Sequence, residues 1–166
     1  AVRDIKESGL LDGRYVPAAV DAPLWFYYTL QKLEGHVAQR EIWDKYGDVM
    51  KGILEAYRAG FYEDIRLHDN GLVWAWADRP LTWMGTIVDG HALTPRRGYP
   101  VELQALWYNA VSYTLAVAKK QGDKEFVAAW KNIPEKTKKS FTQKFWLEEE
   151  GYLADYVNYD EVNKFI

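Results

Sequence analysis

The sequence predicts an all-α domain carrying one small β-hairpin. Apolar residues recur at three and four positions through several long stretches, the helical period. The period switches to two only once, around residues 65–76, and no strand–helix–strand alternation or longer internal repeat appears. A length of 166 residues, 48% of them hydrophobic and 27% charged, suits one core-forming domain and excludes a disordered chain.

Residues 1–20 read as irregular, with Gly9, Gly13 and Pro17. The first helix starts at DAPLWFYYTLQKLEGH. Asp21 is placed to accept backbone N–H groups as N-cap, and Pro23 falls in the first turn, where no amide is needed. Leu24, Trp25, Tyr28 and Leu33 form its apolar face, and Gly35 ends it. A second helix covers AQREIWDKYGDVMKGILEAYRAG, with Tyr46, Met50, Ile53, Leu54 and Tyr57 on one face and Gly60 as its stop. Next, IRLHDNGLVWAWA holds two β-type runs about Asp69-Asn70-Gly71, a turn that demands positive φ. The stretch TWMGTIVDGHALTPRRGYPVE is irregular, Gly- and Pro-rich, and dense in polar and aromatic groups. It leads into VELQALWYNAVSYTLAVAKK, apolar nearly all round and therefore expected to be enclosed by other helices. Asp123 caps a further helix, Pro134 is expected to break it, and EKTKKSFTQKFW resumes it. EEEGYLADYVNY reads as a turn with a short extended piece.

Composition excludes several functions. With 21 basic and 24 acidic residues there is no basic field for nucleic acid. No apolar run approaches the roughly 20 residues of a membrane span. The absence of Cys removes disulfide and thiol chemistry and fits a reducing, cytoplasmic setting. His36, His68 and His91 share no ligand spacing, so neither a metal nor a cofactor is expected. Aromatics at 16%, with 8 Trp and 12 Tyr, exceed what a core needs, and flat ring faces suit the C–H faces of sugars.

What remains for chemistry is carboxylates among aromatics: Asp21, Asp78, Asp89, Glu102 and Asp155. Each has a purely structural reading beside the functional one. Asp21 is a helix cap, Asp89 a turn residue before Gly90, and Glu102 a first-turn acid that suits the helix dipole. Arg96 pairs with an acid, and Trp83 and Trp107 belong to a core.

Four blocks, VDAPLWFYYTLQ, DNGLVWAW, LTWMGTIVDGHALTPRRGYPVELQALWYNAV and FWLEEEGYLADYV, occur in an order that resembles the glucosidase region of glycogen debranching enzymes, over nearly the whole chain from about residue 20. The resemblance implies a six-hairpin α/α toroid that cleaves α-1,6-linked glucose at glycogen branch points with inversion. In that family an Asp, the general acid, follows Thr-Trp-Met; this chain has Gly85 there, and the family's base lies downstream of the last residue. Asp89, four residues on, is the substitute candidate for the acid. The rim would be lined by Asp21, Trp25, Trp83, Arg96, Glu102, Trp107 and Asn109.

Both ends read as cut, which makes residues 1–166 a single-domain piece of a larger glucosidase domain, inactive alone. Its expected partners are a glucose-type or α-glucan ligand and the rest of that domain, with self-association of the isolated piece. Two alternatives stand beside this reading. One is a non-hydrolytic α-glucan-binding or scaffolding relative that lacks the acid; the other is a helical interaction domain with an aromatic core.

Overall fold

The computed structural model describes residues 19–61, 64–76, 81–82, 87–89, 91–92, 96–158 and 162–163. Among the described residues five helices dominate, named here α1 (Ala22–Leu33), α2 (Gln39–Ala59), α3 (Val101–Gln121), α4 (Lys124–Trp130) and α5 (Ile133–Phe145). The mostly helical class is therefore as the periodicity predicts. Gly60 closes α2 at φ +84°, and Gly122 closes α3 in the left-handed conformation, where a Cβ is unfavourable.

Side-chain bonds fix how the helices run. Tyr27 of α1 donates to the carbonyl of Met50 at 2.6 Å, and Tyr57 donates to the carbonyl of Val20. Early α1 thus meets late α2, and the two are antiparallel. Between α1 and α3, Gln31 bonds Asn109, and Tyr113 donates to Glu34 at 2.8 Å. Both pairs advance in the same direction, so α1 and α3 run parallel. Lys51–Asp123 and Glu55–Trp130 show the same relation between α2 and α4. Two antiparallel helical pairs therefore lie side by side, α1 and α3 beginning at one shared end.

The main core fills the space between these pairs with Leu24, Tyr27, Leu30, Met50, Leu54, Tyr57, Leu103, Trp107, Val111 and Trp130, all at most 2% exposed. Burial of each large side chain contributes about 1.5–3 kcal/mol. Trp25 and Tyr28, expected beside Leu24 on the buried face, point the other way and are 49% and 45% exposed. The buried stripe of α1 is Leu24, Tyr27 and Leu30, because i, i+3 and i+6 stay on one side of the helix. Helix α3 is not wholly enclosed either, since Ala105, Tyr108 and Ala116 are exposed.

The predicted hairpin forms from β1 (Asp64–Leu67) and β2 (Val73–Trp76), antiparallel, with Leu67 opposite Val73. Gly71 takes φ +84° in the turn and lies against α5, where an added Cβ would come within 2.8 Å of the Thr137 amide. Thr137 and Ser140 in turn donate to the carbonyls of Gly71 and Asn70. Strands β3 (Ile87–Val88) and β4 (His91–Ala92) form a second small hairpin.

Pro134 does not break a helix. The chain turns at Lys131–Asn132, and Pro134 occupies the first turn of α5, where its missing N–H costs nothing. After α5, β6 (Trp146–Leu147) pairs with β7 (Tyr152–Leu153), the turn and extended piece that the sequence indicates. The chain then returns to the start of α3. Strand β8 (Tyr156–Val157) pairs with β5 (Tyr99–Pro100) and with β9 (Val162–Asn163), and Val101 donates to the carbonyl of Asp155 at 2.9 Å. A second, smaller core of Leu72, Trp74, Tyr99, Phe145, Ala154 and Val157 lies beneath this junction.

Candidate functional site

At the end where α1 and α3 begin, three segments meet on one guanidinium. Arg96 is 8% exposed. Its Nε and Nη2 donate to the two carboxylate oxygens of Asp155, both at 2.8 Å. Its Nη1 and Nη2 donate to the two oxygens of Glu102, and Nη1 also reaches Thr82 Oγ1 at 3.4 Å. The two bidentate pairs and the bond to Thr82 together use the whole planar fork, a geometry that only Arg supplies. Burial opposes the charge of Arg96, but Glu102 and Asp155 outweigh it and hold the group above its ordinary pKa. The carboxylates themselves are not sealed: their side chains are 23% and 21% exposed.

Asp21 stands close by in the chain of contacts. The amide of Val20 donates to the carbonyl of Leu81 at 2.7 Å, and the next residue, Thr82, touches Arg96. Asp21 does not cap α1. It has helical angles, its side chain accepts no backbone N–H, and its Oδ2 instead accepts from Trp25 Nε1 at 3.2 Å. Its Oδ1 has no hydrogen-bond partner among the described residues, although the residue is 3% exposed. An unpaired buried acceptor is costly, about 1–3 kcal/mol, and is uncommon in a folded chain. Beneath it lies Tyr57, whose hydroxyl pKa is pushed up by burial and then by the Asp21 charge.

The other expected rim residues divide. Arg96 and Glu102 do meet, and Trp25 joins Asp21 with an exposed ring set edge-on to Tyr28 at 5.9 Å. Trp107 takes the core reading that the sequence also offers: it is fully buried on the core face of α3, its ring 5.5 Å from Tyr57 and 6.1 Å from Trp130. Its Nε1 has no partner among the described residues. Asn109 exchanges both amide bonds with Gln31, at 2.9 and 3.2 Å, and so joins α1 to α3. Asp89 is exposed in the turn between β3 and β4 at φ +51°, a conformation that Asp tolerates better than most residues. Trp83 and Gly85 lie outside the described residues.

In the sequence Asp155 is one carboxylate among several, and nothing there places it on the rim. No local signal brings it there, because it reaches Arg96 across 59 positions of chain. Glu102 is also a first-turn acid of α3, where a negative charge suits the helix dipole. Among the described residues no group of His, Asp and Glu is arranged to hold a metal, and no helix is long and apolar enough to cross a membrane.

The sequence model of the amylo-alpha-1,6-glucosidase family matches residues 10–165, nearly the entire chain. No curated protein and no solved structure matches it.

Proposed function

The chain belongs to the amylo-alpha-1,6-glucosidase family, and from that premise we propose that it forms part of a wall that seats an α-1,6-linked glucose unit of a branched α-glucan. The observation that carries this reading is Asp21. Its carboxylate is buried, declines the capping role its position offers, and keeps one oxygen without a partner among the described residues, beside the exposed ring of Trp25. A sugar hydroxyl donating to Oδ1, with the ring flanking it, satisfies both groups. Glu102 and Asp155, oriented by Arg96 and about one fifth exposed, offer further acceptors at the same end.

Hydrolysis with inversion needs two carboxyl groups roughly 6.5–9.5 Å apart, one donating a proton and one activating water. Glycine has no proton to give, so with Gly85 at the acid position the proposed outcome is binding without turnover by this chain. The parallel helices α1 and α3 with their outer partners suit a segment of an α/α toroid. Further hairpins of a larger domain would cover Tyr28 and Tyr108, and without them the chain self-associates. Light scattering over a concentration series tests that last point, and a monomer at every concentration refutes it.

The decisive test titrates isomaltose against the chain and its Asp21→Asn variant by calorimetry and measures glucose release from a branched limit dextrin. Weak binding, on the order of millimolar, that falls with Asp21→Asn, together with no glucose release, is the expected result. Equal binding by both proteins removes Asp21 from the site. Glucose release by the unmodified chain shows that another group supplies the proton, with Asp89 first to be replaced. A non-hydrolytic glucan-binding relative is the second reading, favoured by Gly85. The Gly85→Asp change separates the two in a longer protein that contains this chain: raised glucose release supports a glucosidase, and unchanged zero release supports a binder.

A further inference from the structure

A second aromatic feature lies apart from Asp21. Trp146 and Leu153 face each other directly across the β6–β7 hairpin, and both are exposed, at 45% and 42%. An apolar cross-strand pair normally turns inward, and here it is left in water. The indole is also held: its Nε1 donates to Glu148 Oε2 at 2.6 Å, only two residues along the chain. The hairpin is anchored at its base, where the amide of Ala154 donates to the carbonyl of Phe145 at 2.8 Å, and Asp155 follows at once in the grip of Arg96. The platform therefore stands at the same end of the helices as Asp21 and Glu102.

We infer that Trp146, with Leu153 beside it and Glu148 at its edge, is a secondary platform for a linear stretch of neutral α-glucan. The inference rests on the proposed glucan reading and extends it to a portion of the glucan away from the α-1,6 linkage. The surroundings select the ligand. Glu148, Glu149 and Glu150 occupy the turn, and this acidic tip repels phosphate-bearing ligands and anionic membranes. A neutral sugar ring can lay its C–H face on the indole and direct hydroxyls to the carboxylate at its edge. A ring already fixed by its own N–H bond loses little freedom when the ligand arrives, which favours affinity.

The test is electrophoresis of the folded chain through gels containing amylopectin, with Trp146→Ala, Trp146→Phe and Asp21→Asn run beside it and far-UV circular dichroism confirming the fold of each. Retardation of the unmodified chain should weaken about three- to ten-fold in Trp146→Ala, the range that aromatic contacts supply, and recover in large part in Trp146→Phe. Binding of isomaltose by Trp146→Ala should stay unchanged, which separates this platform from the seat at Asp21. Equal retardation of Trp146→Ala and the unmodified chain overturns the inference, and so does no retardation at all. If isomaltose binding fails while Trp146-dependent retardation persists, the seat at Asp21 falls and the platform stands. Trp146-dependent binding of an oligolysine peptide in place of amylopectin, or a Trp146→Ala change that only dissolves a dimer, assigns the face to a protein contact and rejects the glucan.

Discussion

Two carboxylate sites share one end of this molecule, and they are built on opposite terms. At Arg96, every donor of the guanidinium is matched, and Glu102 and Asp155 are each held twice. At Asp21, a carboxylate buried more deeply than either keeps one oxygen with no partner among the described residues. The first arrangement is what a chain does to join distant segments, here the loop before α3, the first turn of α3 and the C-terminal strands. The second leaves an acceptor that folding alone does not require. Arg96 thus serves as scaffold, and the proposed function gives ligand contact to Asp21, although both lie among the same backbone segments.

The largest effect should follow from breaking the satisfied site. Removing one partner from a buried charge network typically costs about 3–5 kcal/mol. Because Glu102 and Asp155 are partly hydrated, Arg96→Met should lie near the lower figure, about 3 kcal/mol. That corresponds to a fall of about 10 °C in Tm for a chain of this size. Arg96→Lys should recover only a small part, since a point charge cannot hold two carboxylates by bidentate bonds. Thermal melts measure both. A melt of Arg96→Met within a degree of the original would deny the network its scaffolding role.

Asp21→Asn should invert this pattern. The amide keeps an oxygen for Trp25 and loses the charge, so a charge-assisted bond to ligand is lost while folding is spared. Isomaltose affinity should fall about ten-fold or more, from the 1.5–3 kcal/mol of a hydrogen bond to a charged group. Stability should stay within about 0.5 kcal/mol or rise, as happens when an unsatisfied functional group is relieved. A large loss of stability with unchanged affinity would erase the distinction between the two sites.

How much of this was legible in sequence differs for the same reason. The helices, the hairpin at Asp69-Asn70-Gly71 and the Asp123 cap are local, set by period, turn chemistry and capping within a few residues. The pairing of Arg96 with Glu102 was within reach of the sequence, six positions apart and both polar at a helix start. The union of Arg96 with Asp155, the burial of Trp107 and the outward turn of Trp25 depend on tertiary packing. No local pattern encodes them. Asp21 and Pro134 show the limit of capping rules. Asp21 sits where a cap belongs and bonds a side chain instead, while Pro134 marks the start of a helix rather than a break.

A smaller effect comes from the cap that does form. Asp123 accepts the Phe126 amide at 3.0 Å, and that bond first, then Lys51 against the opposing effect of burial, holds its carboxyl below the ordinary range. A carboxyl depressed on folding contributes stability that is complete above its unfolded pKa of about 3.9 and disappears as pH falls through the folded value. Asp123→Ala should therefore cost about 1 kcal/mol near neutrality. The gap between it and the unmodified chain should close below about pH 4, as read by urea melts at several pH values.

The smallest expected effect decides the place of Asn109 in the comparison. Sequence put it on the rim, where it would orient a partner, but its amide is spent on Gln31, donor to acceptor in both directions. That reciprocity joins two parallel helices, which makes Asn109 scaffold like Arg96 and unlike Asp21. Each such neutral bond contributes about 0.5–1.5 kcal/mol, and part-burial sets this pair near 1 kcal/mol. Asn109→Ala leaves the Gln31 amide partly stranded, so it should cost about that much, and Gln31→Ala should cost nearly the same. The double variant should cost little more than either, a coupling of roughly 0.5–1 kcal/mol, because the second change removes a group already without its partner. Isomaltose affinity should not move in any of the three. Additive stability losses would show that the exchange carries no energy. A fall in affinity without a fall in stability would return Asn109 to the rim, and with it the parallel contact of α1 and α3 would become part of the ligand seat rather than its support.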